Sequence, residues 1–264
     1  MSIAPWRKLA AVLKQGGVAN ALRHYRTVAL HRAHAALDGR FHPYAADDAT
    51  TGKAELDTLT IESPNRDIGV HYLPTPWRIL DWVQETLPEP DPSWTFVDYG
   101  CGKGRVVLSA ARRPFGRVVG VEFASELAAI ARVNVANLSY QVAHSVEVVE
   151  GDATRFTVPD GPLVAFLFNP FGPPVLDRVA EALARSWQRT PRPIVVAYLN
   201  PLHETAFARL GAFSHVPLFG IDAMRFELLS PYRLALYATP DAARLFPARN
   251  RVGRPEDRPS TMVR

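Results

Sequence analysis

The sequence is poor in the features that mark several classes of protein. It has a single cysteine, Cys101, in 264 residues, and one thiol cannot build a disulfide framework or hold a metal ion by itself. No apolar run approaches the roughly 18 residues of a membrane-spanning helix. The first ten residues lack the apolar region of a secretory signal. These absences predict a soluble, cytoplasmic protein without a membrane span.

A metal site is also not expected. The closest approach to one is His24, His31 and His34, which lie on a predicted basic helix with spacings of seven and three residues. No cysteine or carboxylate accompanies them in a metal-binding pattern. We therefore predict that these histidines belong to a solvated helix face.

The positive charge is concentrated at the two ends of the chain. The net charge is +4, from 30 Lys and Arg against 26 Asp and Glu. Residues 1–40 contain seven basic side chains against Asp38 alone, which gives +6, and residues 241–264 contain six against three, which gives +3. The remaining 41–240 therefore carry −5. A nucleic-acid partner stays open, but the charge of the central region does not support it.

Composition and turn signals divide the chain into four predicted parts. With 47% hydrophobic and 21% charged residues the chain has the composition of a globular protein. We predict basic helices over 1–40, interrupted at Gly16 and Gly17, and an irregular connector over 41–71. The main domain is expected over 72–240, and the Arg- and Pro-rich residues 241–264 are expected to be a disordered tail.

Strand and helix patterns alternate through the predicted main domain. Short apolar runs predict strands over 95–99, 117–122, 146–150, 163–168 and 194–199, with helices over 76–87, 104–112, 125–138 and 174–187. Thr75 is the expected N-cap of the first of these helices. Alternating patterns over 213–219, 225–229 and 233–237 predict antiparallel strands. The fold class is therefore α/β, a doubly wound and mostly parallel sheet with a C-terminal antiparallel hairpin.

The first predicted strand runs into a glycine-rich turn. Its residues include Asp98, Gly100, Cys101, Gly102 and Gly104. Glycine at the carboxyl end of a strand lets the backbone turn sharply and approach a ligand, and the helix that follows offers free N–H groups. A dinucleotide-binding turn requires a further glycine at position 105, where this sequence has arginine. The small Cys101 side chain suits the close packing of such a turn.

Acidic residues follow the next two predicted strands. Glu122 ends the second strand, where a carboxylate can accept hydrogen bonds from both hydroxyls of a ribose. Asp152 follows the third strand, with Ala153 next to it, and its carboxylate suits an exocyclic amine. Either residue could instead cap a turn or a helix.

Together these motifs resemble the class I S-adenosylmethionine-dependent methyltransferases. Their amino-acid sequences are similar to those of an uncharacterised bacterial subgroup. The resemblance covers roughly 72–237 and implies S-adenosylmethionine as the cofactor. It implies that the glycine turn with Asp98 holds the methionine part, that Glu122 holds the ribose, and that Asp152 and Ala153 contact adenine. Upstream, the resemblance makes Tyr72 and Thr75 candidates for covering the cofactor.

A further motif follows the fourth predicted strand. Asn169, Pro170 and Phe171 are similar to the Asn-Pro-Pro-Tyr or Asn-Pro-Pro-Phe signature of amino methyltransferases, although the second proline is missing. An amide oxygen and a proline carbonyl can accept hydrogen bonds from a planar amine, on which an aromatic ring can stack. The motif predicts methylation of nitrogen in a small molecule or a protein amine. A simple chain turn stays an alternative.

Two other functions stay open. One is an NAD(P)-dependent oxidoreductase on a similar sheet, which Arg105 and the antiparallel end of the domain disfavour. The other is a protein that binds the cofactor without catalysis. The sequence does not fix the methyl acceptor, the oligomeric state or the role of the basic N-terminal residues.

Overall fold

The computed structural model describes residues 22–38, 50–52, 54, 59–61, 63–66, 69 and 72–247. Their centre is a seven-stranded sheet in the order β3-β2-β1-β4-β5-β7-β6. The strands are β1 (Thr95–Tyr99), β2 (Arg117–Glu122), β3 (Ser145–Glu150), β4 (Leu163–Phe168), β5 (Ile194–Leu199), β6 (Ser214–Val216) and β7 (Leu234–Ala238). β1 to β5 are parallel, whereas β7 is antiparallel to both β5 and β6. The predicted fold class is confirmed.

Helices cover both faces of the sheet. They are α1 (residues 22–38), α2 (Trp77–Thr86), α3 (Arg105–Ala110), α4 (Ser125–Ala136), α5 (Pro173–Arg189), α6 (Thr205–Ala208), α7 (Gly220–Met224) and α8 (Pro240–Ala243). Every residue of β1 and β5 is buried, as expected for parallel strands that are packed on both sides. Phe96 and Phe166 face a core shared with α2 and α3, and Val97 and Ala165 face a second core shared with α5.

This topology determines where a ligand can bind. The chain leaves β1 toward β2 on one side and later returns to place β4 on the other side of β1. In open α/β sheets a crevice forms at such a reversal, outside the carboxyl ends of the strands. The glycine turn after β1 and the Asn-Pro-Phe motif after β4 therefore meet at the same edge of the sheet.

The prediction of a strand over 225–229 is wrong. Arg225–Leu229 is a π-helical turn that continues α7, and the Ser230 N–H donates to the Arg225 carbonyl at 2.7 Å. The Arg225 guanidinium pairs with Glu85 and lies over the ring of Trp82. Only Phe226 of the turn is buried, so side-chain packing against α2 replaces the expected sheet pairing. The antiparallel pair consists of the short β6 and β7.

Helix α1 lies against this turn. The Arg26 guanidinium donates to the carbonyls of Glu227 and Leu228, both at 2.8 Å. His34 bonds to the Leu229 carbonyl at 3.0 Å, and His31 bonds to the Tyr232 hydroxyl at 2.8 Å. The expectation that these two histidines are only solvated is therefore wrong, because both make tertiary contacts. The first predicted helix and the part of the predicted tail beyond residue 247 lie outside the described residues. Residues 241–247, the start of the tail predicted over 241–264, include the end of α8 and the buried Phe246.

Asp38, at the end of α1, caps helix α2. Its carboxylate is buried and accepts hydrogen bonds from the backbone N–H groups of Trp77 and Arg78. The predicted capping by Thr75 is wrong, since Pro76 occupies the N-cap position and the cap comes from a distant residue. Within the part of the chain that the structure describes, no helix has the length and apolar character needed to cross a membrane. No group of metal-binding side chains occurs there either.

Candidate active site

A cavity of about 330 Å³ opens at the carboxyl edge of the parallel strands. This volume lies in the range of small-molecule sites, about 300 to 1,000 Å³. The predicted site residues that line it precede α2 or lie at or beyond the carboxyl ends of β1 to β4: Tyr72, Thr75, Asp98, Gly100, Cys101, Gly102, Glu122, Asp152, Ala153, Asn169, Pro170 and Phe171. Gly104 is not among the lining residues. It is the N-cap residue just before α3, has a φ of 86° and packs against Ala131.

Glycine is required at two positions of the turn after β1. Gly100 and Gly102 have φ values of 81° and 55°, in the left-handed region that disfavours other residues. A Cβ atom on Gly100 would lie 2.4 Å from the Pro170 side chain, and one on Gly102 would lie 2.2 Å from the ring of Tyr72. The backbone of the turn is therefore in direct contact with Pro170 of the Asn-Pro-Phe motif and with the ring of Tyr72.

Glu122 connects the glycine turn to the end of β2. Its Oε2 accepts a hydrogen bond from the Gly102 N–H at 2.8 Å, and its Oε1 accepts one from the Ala124 N–H at 3.0 Å. Burial raises the pKa of Glu122, and these backbone donors oppose the rise. Each carboxylate oxygen can accept a second hydrogen bond, so the group can still receive hydroxyls from a ligand in the cavity.

The buried Asp98 carboxyl group has one oxygen without a hydrogen-bond partner in the described part of the chain. It is 2% exposed, and its Oδ2 has no hydrogen-bond partner among the described residues. Burial, followed by the nearby charge of Glu122, raises the pKa of Asp98 well above its usual range. Burial also raises the pKa of the Cys101 thiol, so that this buried side chain acts as a small apolar group. An unpaired buried carboxyl group is costly, and a ligand cation would remove that cost.

Asp152 holds a segment that precedes the main domain. Its Oδ2 accepts hydrogen bonds from the Ser63 hydroxyl at 2.6 Å and from the Asn65 amide at 2.7 Å. Its Oδ1 accepts bonds from the N–H and hydroxyl of Thr154. Partial burial opposes ionisation, but these hydrogen bonds lower the pKa of Asp152 to about 2. The carboxylate is therefore engaged on both oxygens, and Asn65 lines the cavity beside it.

The described residues between 50 and 72 extend this contact across the cavity. Gly69 forms an antiparallel bridge with Phe171, and Ala54 forms one with Tyr72. The Tyr72 hydroxyl donates to the Thr50 carbonyl at 2.7 Å. This segment, predicted as an irregular connector, thus contacts the residues after β3 and β4 and covers the glycine turn.

Arg105 occupies the position where a dinucleotide-binding turn has glycine. It is 7% exposed and lines the cavity. Its Nε donates to the Thr50 hydroxyl at 2.6 Å and its Nη1 to the Thr75 carbonyl at 3.0 Å. The guanidinium therefore holds the segment around Thr50, which covers the glycine turn, against the start of α3. Sequence reasoning noted Arg105 only as a departure from another motif.

The part of the cavity near the carboxyl ends of β4 and β5 is aromatic and uncharged. Asn169, 8% exposed, has a φ of 42°, and its Oδ1 accepts a hydrogen bond from the Tyr198 hydroxyl at 3.2 Å. Phe168 and Tyr232 lie edge to face at 4.7 Å between ring centroids. Both rings line the cavity with Asn169, as does Asn200. These three lining residues were not predicted, although the Asn-Pro dipeptide after β5 repeats the one after β4.

The residues fit S-adenosylmethionine. Gly100 and Gly102 line the cavity without a side chain, and Glu122 offers a fixed carboxylate for ribose hydroxyls. The unpartnered Asp98 carboxyl suits the ammonium group of the methionine part. Two carboxyl groups and two glycine positions without side chains thus line the same cavity.

Comparison with known proteins gives partial matches. Residues 96–190 match the protein family described as "Methyltransferase domain". The chain is 34% identical over 74 residues to a ribosomal protein L11 methyltransferase of Dechloromonas aromatica, a match covering 28% of this chain and 24% of that protein. It is 31% identical over 103 residues to a protein-L-isoaspartate O-methyltransferase of Methanopyrus kandleri, covering 38% and 45%.

A solved structure is also similar in part. The chain is 24% identical to an RNA methyltransferase from Salinibacter ruber in complex with S-adenosyl-L-homocysteine, with a TM-score of 0.42 and coverage of 63% of this chain and 92% of that one. The chain spans about a quarter of the length of the first relatives that it matches. The domain match together with the strand order confirms the resemblance drawn from the sequence. The matched domain and the cavity residues agree with S-adenosylmethionine as the cofactor that the sequence predicts.

Proposed function

We propose that this chain, a class I S-adenosylmethionine-dependent methyltransferase by its matched domain and strand order, transfers a methyl group to a nitrogen atom of a small molecule or a protein. The observation that carries the proposal is the position of Asn169. This buried amide lies at the cavity wall beside Pro170 and Phe171, and its backbone has a left-handed φ. Such a conformation is uncommon for a residue other than glycine and often occurs at functional sites.

The aromatic residues give the nitrogen acceptor a planar site. Phe171 is buried against the second core, and its backbone pairs with Gly69, so its ring has little freedom to move. Phe168 and Tyr232 form the neighbouring wall. Flat walls of this kind hold a planar group by stacking. The partial relative named for ribosomal protein L11 supports the protein alternative, whereas the isoaspartate relative is named for transfer to oxygen.

The protein residues act by positioning. When bound, the cofactor supplies a methyl group on a positively charged sulfur; the acceptor nitrogen's lone pair forms the new N–C bond while the S–C bonding pair stays on sulfur and the nitrogen's proton leaves to water. Proximity and orientation supply about 7 to 11 kcal/mol in favourable cases. Glu122 and the glycine turn hold one reactant, and Asn169 with Phe171 orients the other. A strong general base is not required.

The test is methyl transfer from S-adenosylmethionine carrying a tritiated methyl group. The acceptors are Nα-acetyllysine amide, Nα-acetylglutamine amide, adenosine and catechol, and mass spectrometry locates the methyl group. We expect transfer to a nitrogen acceptor and not to catechol. Asn169→Ala should lower the rate by about 100-fold, the effect of losing roughly 2.7 kcal/mol of orientation, while the affinity for S-adenosylhomocysteine is retained.

The matched control is Asn137→Ala, since Asn137 lies at the C-terminal end of α4 and does not line the cavity. This variant should transfer methyl at the wild-type rate. Methylation of catechol oxygen instead of nitrogen would contradict the proposal. Tight binding of NADH in place of S-adenosylhomocysteine would favour the oxidoreductase, and cofactor binding without transfer to any acceptor would favour a non-catalytic protein.

A further inference from the structure

Asn200 repeats the features of Asn169 on the neighbouring strand. In the pairing of β4 with β5, Phe168 lies opposite Leu199, so Asn169 and Asn200 are the first residues beyond the same end of two adjacent strands. Each precedes a proline. Asn200 has a φ of 52°, and Asn169 and Asn200 are the two described non-glycine residues with positive φ. Both line the same cavity.

The backbone of Asn200 is fixed, whereas its side chain is available. The Asn200 N–H donates to the Arg233 carbonyl at 2.8 Å, which ties the turn to the start of β7. Among the described residues the Asn200 carboxamide makes no hydrogen bond. A left-handed φ before proline costs of order 1 to 3 kcal/mol and persists only where the surrounding structure imposes it. The fold therefore maintains an unfavourable conformation that presents an unused amide to the cavity.

The amide of Asn169, in contrast, is already oriented. Burial raises the pKa of Tyr198 to about 12, so its hydroxyl stays protonated near neutral pH and donates to Asn169 Oδ1. The Nδ2 group of Asn169 has no hydrogen bond among the described residues. Asn169 thus has a donor left to offer, and Asn200 has a free oxygen acceptor.

We propose that Asn200 is a specificity-determining residue: together with Asn169 it selects a neutral planar acceptor in which an N–H group lies beside a hydrogen-bond acceptor, as in a carboxamide or an amino-substituted heterocycle. Asn200 Oδ1 accepts the N–H of the nitrogen to be methylated, and Asn169 Nδ2 donates to the adjacent acceptor atom. This inference rests on the proposed nitrogen-directed function and deepens it.

The charge of the cavity supports the same chemistry. The lining residues at the carboxyl ends of β4 and β5 and just before β7 contain no charged side chain; they are Phe168, Asn169, Pro170, Phe171, Asn200 and Tyr232. An alkylammonium group in these surroundings has no carboxylate to pair with and is disfavoured by its desolvation. A neutral amide or amino-heterocycle loses much less on entering and stacks against the aromatic walls.

The test measures the binding of three probes to protein saturated with S-adenosylhomocysteine. Nα-acetylglutamine amide and adenosine represent the two sources of the planar group, and Nα-acetyllysine amide represents an ammonium. We expect wild-type protein to bind one of the planar probes more tightly than the lysine probe, and the preferred probe identifies the source. Asn200→Gly should weaken binding of that probe by about tenfold, the loss of a hydrogen bond to a buried partner.

Two variants separate recognition from folding. Glycine suits a φ of 52°, so Asn200→Gly should unfold at or above the wild-type temperature even though it loses the probe. Asn200→Asp retains the acceptor oxygen and adds a charge, and should shift the preference toward the lysine probe. Asn137→Gly is the matched control, since Asn137 lies outside the cavity, and should bind all three probes as wild type does.

The outcomes distinguish this inference from the proposed function. Preference of the wild type for the lysine probe, failure to bind either planar probe, or unchanged binding in Asn200→Gly overturns the role of Asn200. Methyl transfer to lysine nitrogen in that case would leave the nitrogen-directed function standing. If the wild-type protein does not bind S-adenosylhomocysteine at all, the proposed function itself is overturned.

Discussion

Replacing Glu122 by glutamine tests the link between the glycine turn and cofactor affinity. The carboxylate accepts the Gly102 N–H at 2.8 Å and the Ala124 N–H at 3.0 Å, whereas a carboxamide offers one oxygen and one NH₂ group. One backbone donor would then face another donor, which costs about 1 to 3 kcal/mol. Removal of a buried charge, whose burial raises the pKa of Glu122, offsets part of this cost. We therefore expect a small change in the free energy of unfolding.

The loss of cofactor affinity should be much larger. Hydrogen bonds from ligand hydroxyls to a carboxylate contribute about 1.5 to 3 kcal/mol, so Glu122→Gln should weaken S-adenosylhomocysteine binding by about 10- to 150-fold. Isothermal titration calorimetry measures this change without the complication of turnover. Glu147→Gln is the control, because Glu147 lies on the neighbouring β3 and is half exposed in an ion pair with Arg117. An affinity within about twofold of wild type in the folded Glu122→Gln protein would refute the assignment.

Three other substitutions test the surroundings of the cavity. Because folding raises the pKa of Asp98 above its ordinary value of 3.8, stability of the free protein should fall as pH rises above about 4. Asp98→Asn should lessen this dependence in thermal unfolding at several pH values, leaving the part that comes from the raised pKa of Glu122. It should also raise Tm at pH 7 by about 2 to 4 °C and weaken S-adenosylmethionine binding at least tenfold. Asp152→Ala should speed amide hydrogen exchange around Ser63 and Asn65, because it removes the carboxylate that binds both side chains. Since the pKa of Asp152 is lowered to about 2, the wild-type protection from exchange should persist at neutral pH and be lost as pH falls from about 4 toward 2. Asp38→Ala should cost about 0.5 to 2 kcal/mol in denaturant unfolding through loss of the α2 cap, and an unchanged midpoint would contradict that role.

Strands β1 to β5 could be predicted because their signals are local. β1, β4 and β5 are short apolar runs bounded by turn residues, and burial on both faces requires that pattern. β3, at the edge of the sheet, has no buried residue and alternates valine with glutamate over much of its length. The glycine turn is equally local: Gly100 and Gly102 have left-handed φ values and face neighbours that leave no room for a Cβ. Since carboxyl ends of parallel strands share one edge, the sequence also predicts that Glu122 and Asn169 approach the same crevice.

What could not be predicted depends on contacts between distant parts of the chain. The alternating apolar pattern of 225–229 matches a strand, but in the fold Phe226 packs against Trp82 of α2 and Arg225 pairs with Glu85, 140 residues away. His31 reaches Tyr232 across 201 residues, and no spacing in the sequence announces such a pair. Arg105 illustrates a different difficulty, because its role follows from Thr50 and Thr75, whose positions become known only when the covering segment is placed.

The basic N-terminal residues show why charge counting alone misleads. α1 carries Asp38 at its end, where the carboxylate caps the free N–H groups that begin α2. Twelve residues earlier, Arg26 donates to free carbonyls at the end of the π-helical turn. A negative group thus meets the positive end of one helix, and a positive group meets the negative end of another helical segment. At these two positions the charges hold α1 against α2 and the π-helical turn, so Arg26, one of the basic residues that suggest a nucleic-acid surface in the sequence, is used within the fold.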